Sequence, residues 1–196
     1  MKIDESLKLL REGSKRNFSQ SFDIIVNLKN IDLKKPENKF SKDVVLPHGR
    51  GKDVNVAIIS DSIPDAITKR DIESISKPAI RELLKKHEFF LCEAVLMPLV
   101  GKVLGRYLGP KGKMPKLITG NLDLLVKETK KSVRIRVRDS PVIHAIAGSE
   151  NMQDSEVKEN AEKIIEEVRK ALPKGNSQIK NVYLKLTMGK PVKIDM

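Results

Sequence analysis

The sequence predicts an α+β domain assembled from both chain termini, with an α/β unit inserted between them. Strand-like stretches near both ends alternate apolar with polar residues, the mark of sheets buried on one face, while those in the middle are short, nearly continuous apolar runs. The middle runs alternate with helical spacing, the order of parallel β-α-β units in a small open sheet. The flanks, about 52 and 65 residues, are each marginal as separate domains because short chains bury little surface. One domain built from residues 1–52 and 132–196, interrupted by 53–131, is the economical arrangement.

The elements follow in order. Asp4 caps a first helix whose apolar face is Leu7 and Leu10, with Leu9 at its margin; Gly13 and the Lys15-Arg16-Asn17 run end it. Phe22, Ile24, Val26 and Leu28 then alternate with residues 23, 25, 27 and Lys29 as a strand. After a basic stretch, Val44-Val45-Leu46 stops at Pro47-His48-Gly49-Arg50-Gly51-Lys52, a turn or hinge. Val54 to Ile59 and Phe89 to Leu96 read as buried strands. Pro64 to Arg70 and Pro78 to Lys86 read as helices with proline near the start, and Leu99 to Leu108 and Leu122 to Lys130 as further helices. Val133, Ile135 and Val137 resume the alternation, with Val142 to Ala147 as a plausible partner strand. A long amphipathic helix with Val157, Ala161, Ile164, Ile165, Val168 and Leu172 on one side follows. A final strand runs through Val182, Leu184, Leu186 and Met188.

Composition narrows the function. The chain has 196 residues, 38 Lys+Arg against 26 Asp+Glu and a net charge of +12, which points to a polyanionic partner. Only seven residues are Phe or Tyr and none is Trp, which argues against single-strand binding by base stacking. The charge is spread as +5, +4 and +3 over residues 1–52, 53–131 and 132–196, so no single basic tail explains it. One cysteine permits no internal disulfide and suits a reducing cytoplasm. The charged N-terminus and the lack of a long apolar run argue against secretion and membrane insertion.

Local patterns sharpen this. Arg134, Arg136 and Arg138 share one strand face, a row that can track phosphates or be an ordinary solvated sheet surface. From Ala94 to Leu122 there is no acidic residue, while Lys102, Arg106, Lys111, Lys113 and Lys116 occur; Gly109 to Lys116 reads as a basic loop after a helix. It is no Walker loop, which needs four residues between its glycines and a hydroxyl where Met114 stands. Gly101, Gly105 and Gly109 recur every fourth residue, best explained by close helix packing. Phe18 is either an apolar wedge beside basic groups or a core anchor. The three histidines lack metal-ligand spacing, and Cys92 sits in a buried strand, so a metal site and a catalytic thiol find no support.

Three segments, in order, carry a resemblance: Pro47-His48-Gly49-Arg50-Gly51-Lys52, Gly105-Arg106-Tyr107-Leu108-Gly109-Pro110-Lys111-Gly112-Lys113-Met114-Pro115, and Thr187-Met188-Gly189. Over essentially its whole length the chain resembles the ribosomal protein L-one family, and its Asn17 to Phe22 and Lys111 to Pro115 stretches look archaeal. The resemblance implies a two-domain protein whose terminal domain binds RNA and whose inserted Rossmann-like domain holds no cofactor. It implies large-subunit rRNA as target, a mobile stalk beside the E site that assists release of deacylated tRNA, and repression through the protein's own mRNA leader. A cytoplasmic protein, monomeric off the ribosome, is expected.

Phe18 matches the family's phenylalanine before the first strand; Thr187, Met188 and Gly189 match its Thr-Met-Gly element at RNA backbone and sugars. The expected RNA-binding set is Arg16, Phe18, Ser19, Lys29, Arg134, Arg136, Arg138, Thr187, Met188, Gly189 and Lys190. Arg106, Lys111, Lys113 and Lys116 form a second RNA- or tRNA-facing loop, and Pro47, His48 and Gly49 a hinge. Lys190 stands where many relatives have proline, with Pro191 following. A nucleotide-dependent enzyme using the α/β unit is the alternative, and a DNA-binding regulator a third reading that no helix-turn-helix or zinc pattern supports.

Overall fold

The computed structural model of the chain describes residues 1–13, 16–64 and 66–195. Lys15, read above as part of the first helix's end, lies outside the described residues. The elements in order are α1 (Ile3–Gly13), β1 (Ser21–Leu28), β2 (Phe40–Val45), β3 (Val56–Ile59), α2 (Lys69–Ser74), α3 (Lys77–Lys86), β4 (Phe89–Cys92), α4 (Met97–Val103), α5 (Gly105–Lys111) and β5 (Lys116–Leu117). They continue with α6 (Leu122–Lys131), β6 (Ser132–Val137), β7 (Val142–Ser149), α7 (Asp154–Ala171), β8 (Ile179–Leu186) and β9 (Val192–Ile194). The fold is mixed α/β, with three sheets among the described residues. The chain divides into two compact units, residues 1–52 with 131–196, and residues 53–130.

In the first unit an antiparallel sheet runs β7-β1-β8-β9. Phe22, Ile24 and Val26 of β1 stand opposite Leu186, Leu184 and Val182 of β8, so their apolar side chains share one face. Leu7 and Leu10 of α1 and Val157, Ala161, Ile164 and Val168 of α7 join that face in one buried core. Each of the larger side chains removed from water contributes about 1.5–3 kcal/mol against the cost of ordering the chain.

β6 does not pair with β7, as the sequence reading expects, but with β2 in a separate two-stranded ribbon, Val133 opposite Val44 and Arg134 opposite Asp43. β7 pairs instead with β1. Alternation shows which face of a strand is buried and is silent on which neighbour it takes. The last strand is also shorter than its alternation. β8 stops at Leu186, the Gly189 N–H donates to the Leu186 carbonyl at 2.8 Å, and β9 returns along β8. Met188 therefore belongs to a turn, outside the strand's inward-facing series.

The second unit has a parallel sheet, β3-β4-β5, with Val56 opposite Phe89 and Cys92 opposite Leu117. Ile72, Ile80, Leu84, Val100, Leu104 and Leu108 pack with Ile59 and Phe90 of that sheet. The helix expected over Pro64 to Arg70 begins later, at Lys69. Thr68 and Asp71 form a reciprocal capping box there, a stronger start signal than Pro64. The expectation of close packing at Gly101, Gly105 and Gly109 fails: a Cβ on any of them would meet nothing within 4 Å. The basic loop is shorter than expected, since Gly109, Pro110 and Lys111 are still in α5.

Candidate nucleic-acid interface

The pairing of β1 with β8 brings the entry to β1 beside the exit from β8. The Ser21 N–H donates to Thr187 Oγ1 at 3.1 Å, and the Thr187 N–H donates to the Ser21 carbonyl at 3.0 Å. Gln20, fully buried, accepts the Met188 N–H on its side-chain oxygen at 3.1 Å. Its own N–H donates to Glu150 Oε2 at 2.9 Å, and the Glu150 N–H donates back to the Gln20 carbonyl. Ser19 Oγ lies 3.3 Å from Ser149 Oγ. The main chain at Gln20, Ser21, Thr187 and Met188 is thus fixed; beside it Phe18 is 55% and Met188 61% exposed.

Beside this edge lies a groove of about 460 Å³ between Leu9, Leu10 and Gly13 of α1 and Met188, Gly189 and Val192, with Arg16 and Lys190 also lining it. Neither cation pairs with a carboxylate among the described residues. The structure so brings together Arg16, Phe18, Ser19, Thr187, Met188, Gly189 and Lys190. Gln20 escaped the sequence reading because its partner lies 168 residues away. Arg11 did too: its guanidinium is held by Asp154 Oδ1 at 2.7 Å and by the carbonyls of Glu150 and Met152, above the Phe22 ring.

Other candidates lie elsewhere. β1 is eight residues long, about 25 Å at the ordinary strand rise. Lys29 sits at its far end, where the Lys29 N–H donates to the Gln178 carbonyl and the Leu28 N–H to that of Pro141. That end is three residues along the chain from Arg138. Arg136 and Arg138 are exposed, but Arg134 is not a surface cation in the same sense. Its Nε and Nη2 donate to the two carboxylate oxygens of Asp43 at 2.6 and 3.1 Å, with the side chains 15% and 7% exposed. In the arginine row two side chains are thus exposed and one is paired with Asp43 in the sheet.

In the second unit Lys113 is likewise spent. Its Nζ donates to the carbonyls of Leu84 and His87, both at 2.8 Å, closing the C-terminal end of α3. Arg106 and Lys111 are exposed and Lys116 is half-buried.

Pro47-His48-Gly49 is tied down rather than loose. Asn160, buried on α7, accepts the His48 N–H and donates to the Gly49 and Ala147 carbonyls at 2.8 Å each, and His48 Nε2 lies 2.7 Å from Glu159. Gly51, at φ +69°, stands where a Cβ would come within 2.7 Å of the Ser149 side chain. These bonds fasten His48 and Gly49 to α7 within the first unit.

Burial pushes the Cys92 thiol up to about 11, which keeps it unreactive. Burial, then Lys86 and Lys113, lower the affinity of His87 for a proton. Glu93, at the carboxyl end of β4, accepts the hydroxyls of Ser60 and Ser62 and so fastens the loop after β3. Among the described residues no three His, Cys, Asp or Glu side chains are grouped to hold a metal ion, and no helix is long and apolar enough to cross a membrane.

The edge is basic and carries two exposed apolar side chains, Phe18 and Met188. Residues 10–190 match the Ribosomal protein L1p/L10e family. The chain is 46% identical, over 208 aligned positions covering 98% of it and 95% of the relative, to the large ribosomal subunit protein uL1 of Pyrococcus abyssi. It is 43% identical to uL1 of Methanocaldococcus jannaschii, covering 97% and 93% of the two chains, and 41% identical to uL1 of Methanothermococcus thermolithotrophicus over the whole of both. The chain therefore belongs to the ribosomal protein L1p/L10e family, in its archaeal form. That family is structural, and the protein is not an enzyme.

Proposed function

We propose that the chain is a structural constituent of the large ribosomal subunit, in the cytoplasm, that binds large-subunit rRNA and forms the mobile stalk near the E site. The observation that carries this reading is the edge where exposed Phe18 and Met188, the latter on hydrogen-bonded main chain, stand near Arg16 and Lys190, neither paired with a carboxylate among the described residues. Large apolar tips beside hydrogen-bonded main chain contact folded RNA with little backbone ordering, and the flanking cations draw in phosphate. The unit built from both termini is the RNA-binding α+β domain, and residues 53–130 are a Rossmann-like insertion that needs no cofactor. The exposed Arg106 and Lys111 of that insertion face RNA or E-site tRNA, whose release the stalk assists. The same edge represses translation by taking a similar fold in the protein's own mRNA leader. The protein is a monomer off the ribosome.

The test is a competition assay with a labelled stalk rRNA fragment against tRNA, duplex DNA, unstructured RNA and the protein's own mRNA leader. The stalk fragment and the leader compete for one site, and the others compete weakly. Phe18→Ala or Met188→Ala each weakens stalk RNA binding by about 1–3 kcal/mol. Equal affinity for every duplex, unmoved by either substitution, would sink the reading.

A further inference from the structure

The groove beside α1 has more apolar wall than a backbone-tracking surface needs. On α1 the core takes Leu7 and Leu10, while Leu9 is left 49% exposed on the groove side. Opposite it stand Met188 and Val192, and no atom of the described residues lies within 4 Å of where a Cβ on Gly13 would be. The volume, about 460 Å³, is that of a small-ligand site. Among the described residues its charged lining is Arg16 and Lys190, and neither is neutralised by a carboxylate there. Apolar walls with cations alone complement a ligand that is flat and apolar in one part and anionic in the next. A nucleotide has that chemistry, and the groove is continuous through Met188 with the edge proposed to bind RNA. The methionine side chain, flexible and polarisable, accepts either a purine or a pyrimidine face.

We infer that the groove receives one unstacked nucleotide of the bound RNA, its base against Leu9 and Met188 and its phosphates between Arg16 and Lys190. Sequence-specific RNA recognition commonly works on bases splayed out of loops and bulges. Here aliphatic walls take the place of aromatic ones in a chain with only seven aromatics. This inference rests on the RNA-binding reading and adds α1 to the surface.

The experiment uses the full chain and the stalk rRNA fragment carrying 4-thiouridine or 6-thioguanosine at each unpaired position in turn. Near-ultraviolet irradiation and peptide mapping then locate the contacts. One position is expected to crosslink to the α1 peptide containing Leu9. Leu9→Glu, which adds a carboxylate to the groove at a half-exposed site, is expected to weaken binding about tenfold and abolish that crosslink. Leu9→Ala, which adds no charge, is expected to reduce the crosslink as well. Crosslinks confined to β1 and β8, or Leu9→Glu without effect while Met188→Ala still weakens binding, would overturn the groove and leave the RNA-binding reading intact. If neither substitution matters, the RNA-binding reading fails with it.

Discussion

Thr187 holds Ser21 through three hydrogen bonds: it accepts the Ser21 N–H on Oγ1, and both its N–H and its hydroxyl donate to the Ser21 carbonyl. A threonine hydroxyl has one proton and two lone pairs, so one lone pair is left for a ligand. The contact with RNA sugar that the family resemblance implies must then come from a 2′-OH donating to Thr187, and the residue's larger role is to set the turn that presents Met188. Thr187→Val removes the hydroxyl and leaves the Ser21 N–H without it. The expected loss is about 1–2 kcal/mol of stability by urea denaturation, with weaker RNA binding. Thr187→Ser retains both properties, and equal behaviour of the two variants would contradict this assignment.

Asn160 is the corresponding fastener for the segment leading out of the first unit. One buried amide serves the His48 N–H and the carbonyls of Gly49 and Ala147. Asn160→Ala deprives all three main-chain groups at once, and the expected cost is about 3 kcal/mol, measured by chemical denaturation. Asn160→Asp keeps the acceptor and loses both donors, so it is expected to recover little.

These two fasteners mark the limit of what the sequence shows. The inward faces of β1, β6 and α7 were legible because their apolar residues recur at fixed local periods. The partners of Gln20 and Thr187, and those of Asn160 at His48 and Gly49, were not, since each of these bonds joins residues more than 100 positions apart. The same blindness paired β6 with β7 in place of β2. It also counted Arg134 and Lys113 as surface cations, because charge is visible in a sequence and a partner is not. Of the interface, Phe18 and the Thr187-Met188-Gly189 element came from resemblance; the groove wall at Leu9 had no signal beyond its place at the margin of a helix face.

Two carboxylates give opposite responses to pH. Glu167 on α7 lies 2.7 Å from Lys42 of β2, and hydrogen bonding from Lys42, then its charge and that of Lys170, hold its pKa below the ordinary 4.5. Its contribution is present above the unfolded value and is lost as pH falls through the folded one. Asp23, on the sheet face away from the core, is shifted the other way: burial raises it above 3.8, only partly offset by Lys185, His144 and Lys52. Its ionised form costs stability at neutral pH. Glu167→Gln is therefore expected to be less stable than the parent at pH 7 and Asp23→Asn more stable, both differences shrinking toward pH 3. Urea denaturation at the two pH values checks the signs; a change of the same sign for both would refute the assignment.

Of the +12 net charge, only part is available to RNA, and Arg134 and Arg136 separate the two uses. They occupy alternate positions on one strand, yet Arg134 is locked bidentately to Asp43 while Arg136, opposite Ser41, is exposed. Asp43→Ala removes the carboxylate from a largely buried guanidinium and is expected to cost about 2 kcal/mol of stability. Arg136→Ala is expected to cost less stability than Asp43→Ala, because interactions at an exposed side chain are screened by water. If Arg136 meets a phosphate, its loss lowers the slope of log affinity against log salt by about 1, and the slope stays put if it does not. Binding titrations over a salt series, run beside denaturation, resolve the two effects. An Arg136→Ala variant that unfolds easily but keeps the parent's salt slope would show that this strand's arginines all serve the fold.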